Sequence, residues 1–228
     1  MGVKRWEKLP PELQTPEVRV YYDVLRKKRA TLLAKRVFDV VAASVLLVAL
    51  SPVFLVLAIA IKLDSAGPVF YRQIRVTQYN KRFRIFKFRS MTQGADKGSL
   101  VTVSGDARVT RVGALIRKCR LDEIPQLIDI LRGTMTFVGT RPEVPRYVER
   151  YTPEMMATLL LPAGVTSLAS IRYKDEAELL DSAEDADKTY VEEVLPAKMR
   201  YNLESLKTFG FWSDVKTALL TVWAVLGK

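Results

Sequence analysis

The sequence predicts an α-rich α+β protein that is monotopic, meaning that it is attached to one face of a membrane. An uncharged run from Val40 to Ile61 is broken near its middle by Ser51-Pro52, which predicts a re-entrant helix. Two strand patterns, 69–76 and 82–88, are joined through Gln78-Tyr79-Asn80 and predict a short β-hairpin. Most other segments carry apolar residues at helical spacing. Together these features predict a broken membrane helix, a small cytoplasmic domain and interfacial helices.

The broken apolar run determines where the rest of the chain works. At about 1.5 Å per helical residue it reaches roughly 33 Å, enough for a hydrocarbon core of about 30 Å, while each half reaches about half of that. Pro52 cannot donate an amide hydrogen and its ring clashes with the preceding turn, so we expect a kink or a break there. The hydroxyl of Ser51 can satisfy a backbone group that the break leaves free.

Basic residues lie on both sides of this run. They are Lys27, Lys28, Arg29, Lys35 and Arg36 before it, and Lys62, Arg72, Arg75, Lys81 and Arg82 after it. A simple span would place one cluster outside, against the positive-inside tendency, whereas a segment that turns back at Pro52 keeps both inside. Re-entry is therefore favoured, on the cytoplasmic face of an inner membrane. A kinked transmembrane helix and a buried helix of a soluble domain are the alternatives. The late start and the lack of an A-x-A-type site argue against a signal peptide.

The sequence divides into four parts. Residues 1–34 form a basic N-terminal extension, with a loose Pro-rich lead-in and then a helix that starts at Thr15-Pro16-Glu17 and lies on the membrane surface. Residues 35–64 contain the broken helix. Residues 65–200 form the domain with the hairpin, and residues 201–228 form an interfacial helix.

Two features within these parts need separate mention. Gly94 to Asp106 is rich in Gly, Ser and Asp, which predicts a mobile loop. The last part has aromatic residues beside a short apolar helix, too short to span a membrane, for which a core helix is the alternative.

Composition narrows the chemistry that this chain could perform. Its 228 residues carry a net charge of +11, which implies an acidic partner. Because a membrane segment is present, lipid headgroups and phosphates rank ahead of nucleic acid. A single cysteine, Cys119, excludes an internal disulfide. The absence of histidine excludes Ser-His-Asp and Cys-His triads, histidine zinc sites and a histidine base. Catalysis would have to use carboxylates, Lys, Arg, Tyr, hydroxyls or an oxygen-liganded metal.

Asp122-Glu123 is the candidate reactive pair. We predict that a helix begins at about Asp122, because Pro125 is tolerated only in a first turn, and the positive end of a helix would stabilise anions there. The neighbouring cations are Arg117, Arg141, Lys87 and Arg89. A carboxylate among guanidinium groups stays ionised and could attack phosphorus, with arginines clamping the phosphate. Mg²⁺ suits one or two carboxylates plus phosphate oxygens. From spacing alone, an ion-pair network that holds the domain together explains the pattern equally well.

At these residues the chain resembles the bacterial sugar transferases of the monotopic phosphoglycosyl transferase family. The resemblance covers the sequence from Lys35-Arg36-Val37-Phe38-Asp39 to the C-terminus. Its further blocks, in order, are Ser51-Pro52, Gly67-Pro68 with Phe70, Gln73 and Arg75, Lys87-Phe88-Arg89-Ser90-Met91, Asp106-Ala107-Arg108-Val109-Thr110, Arg117, Leu121-Asp122-Glu123-Ile124-Pro125-Gln126-Leu127, Gly139-Thr140-Arg141-Pro142-Glu143 and Tyr201 to Leu206.

The resemblance implies a re-entrant helix broken at Ser51-Pro52 and a nucleophilic Asp122 that attacks the β-phosphate of a nucleotide sugar, usually a UDP-sugar, releasing UMP. Polyprenyl (undecaprenyl) phosphate would then attack the phosphosugar–aspartyl intermediate, with ping-pong kinetics. The product, a polyprenyl diphosphate sugar, would initiate glycoconjugate synthesis such as exopolysaccharide, capsule or O-antigen. Glu123 is expected to help Asp122 hold Mg²⁺ or to handle a proton. The residues expected to hold phosphates are Arg117, Arg141, Lys87 and Arg89.

The chain departs from the family pattern at three positions, and two other functions compete with it. Thr140 replaces a usual Pro, and Ser167 and Ser170 replace a usual Gly and Gln.

Asp185-Ala186-Asp187 is the metal-binding D-x-D that a conventional metal-dependent glycosyltransferase would use, although an acidic solvated loop explains it better. A non-catalytic basic membrane-associated protein would account for the charge but not for Asp122-Glu123 among arginines.

Overall fold

A computed structural model of the chain describes residues 2–95, 106–173, 176, 183 and 185–226. Its helices are α1 (Pro16–Lys27), α2 (Arg29–Ala49), α3 (Ser51–Asp64), α4 (Arg111–Lys118), α5 (Gln126–Arg132), α6 (Pro145–Val148), α7 (Leu168–Arg172), α8 (Ala186–Thr189), α9 (Leu195–Lys207) and α10 (Phe211–Leu226). Its strands are β1 (Phe70–Thr77), β2 (Lys81–Phe88), β3 (Met135–Val138) and β4 (Ala163–Thr166). The helix-rich α+β class is confirmed.

The apolar run forms two helices, α2 and α3, which meet at a bend of 60°. No single helix in the described part of the chain is long and apolar enough to cross a membrane, but this bent pair satisfies that test jointly. The carbonyl of Val48 would normally accept a bond from the amide four residues later, which is Pro52 and has no hydrogen. The hydroxyl of Ser51 donates to this carbonyl instead, at 2.7 Å. The predicted break and the predicted role of Ser51 are thus confirmed.

The bent pair is apolar on its outer side and packed on its inner side. Large apolar residues of both helices are more than half exposed, for example Val48 at 75% and Leu63 at 84%. C-terminal helix α10 adds Trp212 and Trp223, at 78% and 76% exposed. Exposed apolar surface of this extent is unusual for a protein in water and is typical of a surface that contacts a membrane or another protein.

The hairpin lies where the sequence predicts it. β1 and β2 pair antiparallel from Phe70 opposite Phe88 to Thr77 opposite Lys81. The turn between them places Tyr79 and Asn80 in the left-handed region. A second, parallel pair, β3 with β4, is absent from the sequence prediction. Each of its strands has only four residues, too few for a clear alternating pattern.

The N-terminal residues are built into the protein core, so the prediction of a loose lead-in is wrong. Two 3₁₀ turns, Trp6–Lys8 and Pro11–Leu13, precede α1, which starts at the predicted Thr15 cap. The apolar face of α1 is also buried in protein rather than lying on a membrane. These residues belong to a hydrophobic core cluster, whose buried side chains include Leu9, Leu13, Val18, Tyr21, Tyr22, Leu25, Leu160, Leu203, Leu206 and Phe209. The four buried side chains of α1 (Val18, Tyr21, Tyr22 and Leu25) lie on one face of the helix, and burying them against the protein stabilises the fold.

Other boundaries differ from those predicted. The division at residue 34 lies within α2, and that at residue 200 lies within α9. Helical structure after the reactive pair is regular only from Gln126, not from Asp122. Of the predicted loop Gly94 to Asp106, residues 96–105 lie outside the described residues.

Candidate active site

The reactive pair lies in a 3₁₀ turn, Leu121–Glu123, that leads into α5. The expected helix start at Asp122 is corrected because Pro125 cannot donate a hydrogen bond. The amides of Leu127 and Ile128 close tight i→i−3 turns on the carbonyls of Ile124 and Pro125, at 3.1 and 3.0 Å. Since α5 has only seven residues, its dipole is a weak source of positive potential. Cationic side chains supply the positive charge instead.

Glu123 is held by two of the predicted cations. Its Oε1 accepts from Lys87 Nζ at 2.9 Å and from the Arg141 guanidinium, whose Nη1 also lies 3.3 Å from Oε2. Burial by itself would raise the pKa of Glu123, but Arg141 and Lys87 outweigh this effect and hold its pKa well below the usual range. Glu123 is therefore a permanent anion at neutral pH, and its carboxylate is already occupied on both oxygens.

Asp122 has a different environment although it is adjacent in sequence. Its Oδ2 lies 4.0 Å from Lys87 Nζ, a longer contact than the one Glu123 makes. Burial and the charge of Glu123 raise the pKa of Asp122, and the opposing effects of Lys87, Arg141 and Arg117 only partly offset them. Two neighbouring carboxylates with opposite pKa shifts form the arrangement expected when one is a counter-ion and the other reacts.

Two of the four predicted cations occupy the site directly. Lys87 extends from β2, and Arg141 lies in the segment after β3, where its Nη1 also donates to Val165 O at 3.3 Å. Arg117, in the last turn of α4, is near enough to lower the pKa of Asp122. Of the six predicted site residues, the structure thus joins Asp122, Glu123, Lys87 and Arg141 by ion pairs and places Arg117 near Asp122.

Arg89 does not join this group, and its predicted role as a phosphate ligand is corrected. It is 5% exposed, and its guanidinium donates to the carbonyls of Ala66 and Ser65 at 2.7 and 2.6 Å and to Ile61 O at 3.3 Å. It also donates to Ser65 Oγ at 2.9 Å. The predicted phosphate ligand is a structural clamp at the end of α3. Alternation along a strand would place Arg89 on the same face as Lys87, but β2 ends at Phe88, so the pattern does not extend to Arg89.

Gln73, Arg75 and Glu143 lie near the site, although the sequence predicts no site role for them. Gln73 and Arg75 lie on the same face of β1 as Tyr71, which is paired with Lys87 across the hairpin. Glu143 follows Arg141 by two residues and is 7% exposed. Alternation along β1 could have predicted their position, because it places Gln73 and Arg75 on the same face of the hairpin as Lys87.

The donors for a metal ion are fewer than expected. In the described part of the chain, no three acidic or cysteine side chains come together at a spacing that could hold a metal ion. Glu123 is committed to Arg141 and Lys87, so Asp122 is the protein carboxylate best placed to contact Mg²⁺. This set fits Mg²⁺ only if phosphate oxygens and water complete the shell, as is common for that ion.

The two aspartates of the D-x-D triplet, Asp185 and Asp187, make hydrogen bonds within the protein. Asp185 caps α8 by accepting from the amides of Asp187 and Lys188 at 3.1 and 3.0 Å. The Asp187 carboxylate pairs with Arg146 and accepts from Tyr147 OH at 2.8 Å. The triplet therefore caps and begins helix α8 rather than lying in the solvated loop that the sequence predicts, and its carboxylates bond within the protein.

The three departures also make local bonds. Ser167 caps α7 by accepting from the Ser170 amide at 3.0 Å. Thr140 O accepts from the Gly164 amide at 2.8 Å. The softening of the Arg141 segment that Thr140 was expected to cause is thus opposed by a backbone bond to β4.

The chain is similar in sequence to a known protein family and to several known proteins. The family described as bacterial sugar transferase matches residues 30–228. A UDP-N-acetylgalactosamine-undecaprenyl-phosphate N-acetylgalactosaminephosphotransferase of Aeromonas hydrophila is 36% identical over 196 residues, which are 84% of this chain and 43% of that protein. A UDP-glucose:undecaprenyl-phosphate glucose-1-phosphate transferase of Caulobacter vibrioides is 36% identical over 198 residues, which are 85% of this chain and 70% of that protein.

A third relative is similar in size. An uncharacterised sugar transferase of Bacillus subtilis is 33% identical over 196 residues, covering 86% of this chain and 88% of that protein. By contrast, the match to the Aeromonas protein spans less than half of that protein's length. The family match covers the bent pair of helices α2 and α3, apart from Arg29, together with Asp122, Glu123 and α10. The chain therefore belongs to the bacterial sugar transferase family.

Proposed function

We propose that this protein transfers a sugar phosphate from a UDP-sugar to undecaprenyl phosphate, giving undecaprenyl diphosphate sugar and UMP. The relatives from Aeromonas and Caulobacter carry names that describe this reaction. The observation in the structure that carries the proposal is the half-buried pair Asp122-Glu123, which forms ion pairs with Lys87 and Arg141 and has opposite pKa shifts, with Arg117 nearby. A site with one reactive carboxylate and several cations suits the transfer of a phosphoryl group.

The reaction has two proposed steps. An Asp122 carboxylate oxygen attacks the β-phosphorus of the UDP-sugar, and the bond from that phosphorus to the bridging oxygen breaks, so UMP leaves with the electron pair. An oxygen of undecaprenyl phosphate then attacks the same phosphorus, and the bond to Asp122 breaks, which regenerates the carboxylate. Each step exchanges one P–O bond for another, and no oxidant or reductant is needed.

The remaining residues have supporting roles in this proposal. Glu123 keeps Lys87 and Arg141 oriented and offsets part of their charge before substrate binds, since its low pKa makes it a poor proton acceptor at neutral pH. Arg141 and Arg117 bind phosphate oxygens through their planar guanidinium groups. When bound, Mg²⁺ would withdraw charge from phosphate oxygens, and we propose Asp122 as its protein ligand.

The attachment of the membrane helices supports a re-entrant arrangement. At the start, Arg36 donates to the carbonyls of Ile130 and Leu131 in α5 at 2.7 and 3.1 Å. At the end, Arg89 clamps the turn after α3, and the Asp64 carboxylate accepts from the Val112 amide at 2.9 Å. Both ends of the bent pair are therefore bound to the domain that carries Asp122, which is expected if both lie on one side of the membrane.

The bend also matches the depth of one leaflet. If both helices slope equally, a bend of 60° inclines each by half that angle to the membrane plane. An arm the length of α3 then descends about 10 Å, less than the roughly 15 Å of half a hydrocarbon core. The outward apolar residues of α2 and α3, with Trp212 and Trp223 of α10, would contact lipid, with the domain on the cytoplasmic face of the inner membrane.

One assay tests the proposed reaction. The purified full chain is incubated with a panel of UDP-sugars, Mg²⁺ and undecaprenyl phosphate, and UMP is measured. We expect UMP from at least one sugar, and none above background from Asp122→Asn that still binds membranes. A trapped phosphosugar adduct on the peptide containing Asp122, seen by mass spectrometry without the lipid, would support the covalent step. Undiminished turnover in Asp122→Asn would disprove it.

Topology is tested separately from chemistry. With Cys119 replaced by serine, cysteines introduced at Gly2 and Lys216 are labelled by a reagent that does not cross membranes. In inverted vesicles, where the cytoplasmic face is outside, we expect both to be labelled. Labelling of Gly2→Cys only from the periplasmic side would disprove re-entry while leaving the proposed reaction intact.

A further inference from the structure

The loop that carries Arg141 is held by a polar network that the reaction itself does not use. Arg75 of β1 donates to Gln73 Oε1 from Nε and Nη2, at 2.9 and 2.6 Å. Its Nη1 donates to the carbonyl of Pro142 at 3.1 Å. The guanidinium is thus bonded on three of its nitrogens within the protein, which suits a structural fork better than a phosphate ligand.

The same loop is held again one residue further on. The amide of Val76 donates to Glu143 O at 2.9 Å. The buried carboxylate of Glu143 accepts from Tyr190 OH at 2.6 Å. Consecutive loop residues, Pro142 and Glu143, are therefore bound by consecutive residues of β1, Arg75 and Val76. This leaves little freedom for the Arg141 backbone.

Charge in this network is balanced at short range. The guanidinium groups of Arg75 and Arg141 are close enough to repel, and the Arg141 charge helps to lower the pKa of Arg75, although burial is the main cause. Glu143 opposes that shift, with its Oε2 4.0 Å from Arg75 Nη1 and its Oε1 3.8 Å from Lys198 Nζ. Without the Glu143 carboxylate, the charges of Arg75 and Arg141 would repel each other with less compensation.

We propose that Arg75 is a positioning residue, which holds the Pro142 carbonyl and thereby directs the neighbouring Arg141 guanidinium onto Glu123 and the substrate phosphate. Glu143 and Tyr190 keep Arg75 in place. The inference rests on the proposed sugar-phosphate transfer, because that reaction gives Arg141 its substrate. It assigns a role to Gln73, Arg75, Glu143 and Tyr190, which lie outside the group that contacts the reacting atoms.

The position of Tyr190 fits this role. It begins a π-helical turn, Tyr190–Val194, between α8 and α9. Such wide turns are rare and are often found near functional sites. Here the turn places the hydroxyl of Tyr190 within hydrogen-bond distance of the buried Glu143 carboxylate.

A double-mutant cycle tests whether Arg75 acts through Arg141. Arg75→Lys keeps the charge but loses the fork, and we expect UMP release to fall about 10- to 100-fold in kcat/KM, as small misplacements do. Arg141→Lys should cost at least as much. If Arg75 works through Arg141, the double variant loses no more than about 3-fold beyond Arg141→Lys alone. Losses that multiply would show that Arg75 acts independently and would overturn the proposal.

A second variant and a control keep the result interpretable. Tyr190→Phe removes only the hydroxyl that binds Glu143 and should reduce kcat/KM about 3- to 10-fold, again without multiplying the Arg75→Lys loss. Arg72→Lys is the matched control, since Arg72 lies on the same strand but stacks on the Phe86 ring and bonds Arg84 O. Its activity should equal that of the unmodified chain. A Tyr190→Phe enzyme with full activity would count against the network.

A measurement independent of activity separates this proposal from the proposed reaction. Hydrogen exchange at the Val76 amide reports its bond to Glu143 O and should be faster in Arg75→Lys than in Arg72→Lys. If the unmodified chain releases no UMP from any sugar, the proposed reaction fails while this readout still tests the network. Unchanged exchange at Val76 in Arg75→Lys would overturn the positioning role.

Discussion

The buried carboxylate of Asp39 accepts a 2.5 Å hydrogen bond from the hydroxyl of Thr136, which joins α2 to β3, the strand that leads to Arg141. Lys35, one turn earlier, lies 3.9 Å from the same carboxylate and 2.7 Å from Asp214 of α10. Helix α2, strand β3 and helix α10 therefore meet at one charged cluster, in which Lys35 and Asp39 are buried.

Asp39→Asn should destabilise the protein without touching the site. The substitution keeps a hydrogen-bond acceptor for Thr136 but removes a buried charge that partly neutralises Lys35. We expect a loss of about 2 kcal/mol, between that of one charge-assisted hydrogen bond and that of a fully broken buried ion pair, because Asp214 remains. Thermal unfolding in detergent measures it. Asp23→Asn, in an exposed pair with Arg19, is the control, expected to change stability by less than about 0.5 kcal/mol.

Gly164→Ala should disable the loop that presents Arg141. A Cβ atom at this position would lie 2.2 Å from Gly139 O and 2.3 Å from Gly139 N. β3 and β4 would have to separate, breaking the bonds of 2.9 Å from Gly139 N to Thr166 O and 2.8 Å from Gly164 N to Thr140 O. We expect a loss of about 2–4 kcal/mol in stability and at least about 100-fold in UMP release.

Gly210→Ala provides the matched control for this substitution. Its added Cβ atom would meet nothing closer than 3.8 Å. Both activity and the thermal midpoint should stay at the values of the unmodified chain. Equal activity of the Gly164→Ala and Gly210→Ala variants would contradict the tight approach of β3 and β4.

Arg89→Lys should affect stability and leave substrate binding unchanged. Arg89 binds four acceptors at the end of α3, and a lysine can reach fewer of them in that geometry. We expect a lower thermal midpoint, with KM for the UDP-sugar unchanged in the folded fraction. Arg141→Lys should do the reverse, raising KM or lowering kcat while retaining more stability. A raised KM with unchanged stability in Arg89→Lys would restore its role as a phosphate ligand.

Activity should fall in acid because Asp122 must be ionised to attack. Burial and Glu123 raise the pKa of Asp122 above its ordinary 3.8, so kcat/KM should decline as pH falls through that raised value. Lys87→Met removes a cation that favours the ionised form, and the acid limb should therefore move to higher pH. Profiles of UMP release from about pH 4 to pH 8 measure this. Lys81→Met, at the exposed start of β2, should leave the limb in place.

The sequence was sufficient for features set by local chemistry. Pro52 lacks a donor wherever it lies, so the break and the bond from Ser51 to Val48 were predictable. The hairpin followed from its alternation. The role of Arg89 was not predictable, because only the tertiary structure places the carbonyls of residues 61–66 around its guanidinium. The buried N-terminal residues were missed for a similar reason, since the cluster that contains Leu13 includes residues such as Leu160 and Leu203, more than a hundred positions away.

Pro52→Ala tests whether proline or tertiary packing maintains the bend. Alanine restores an amide that can bond Val48 O in a straight helix, worth about 1 kcal/mol. Straightening would pull α3 from the domain and break the Arg89 clamp, whose charge-assisted bonds are worth about 1.5–3 kcal/mol each. Packing should therefore win, and cysteines at Gly2 and Lys216 should both stay cytoplasmic in Pro52→Ala. In Pro52→Ala combined with Arg89→Met the clamp is gone, and a fraction of molecules should insert as a span, with one label moving to the periplasmic side. If Pro52→Ala alone inverts one end, the proline and not the packing sets the topology.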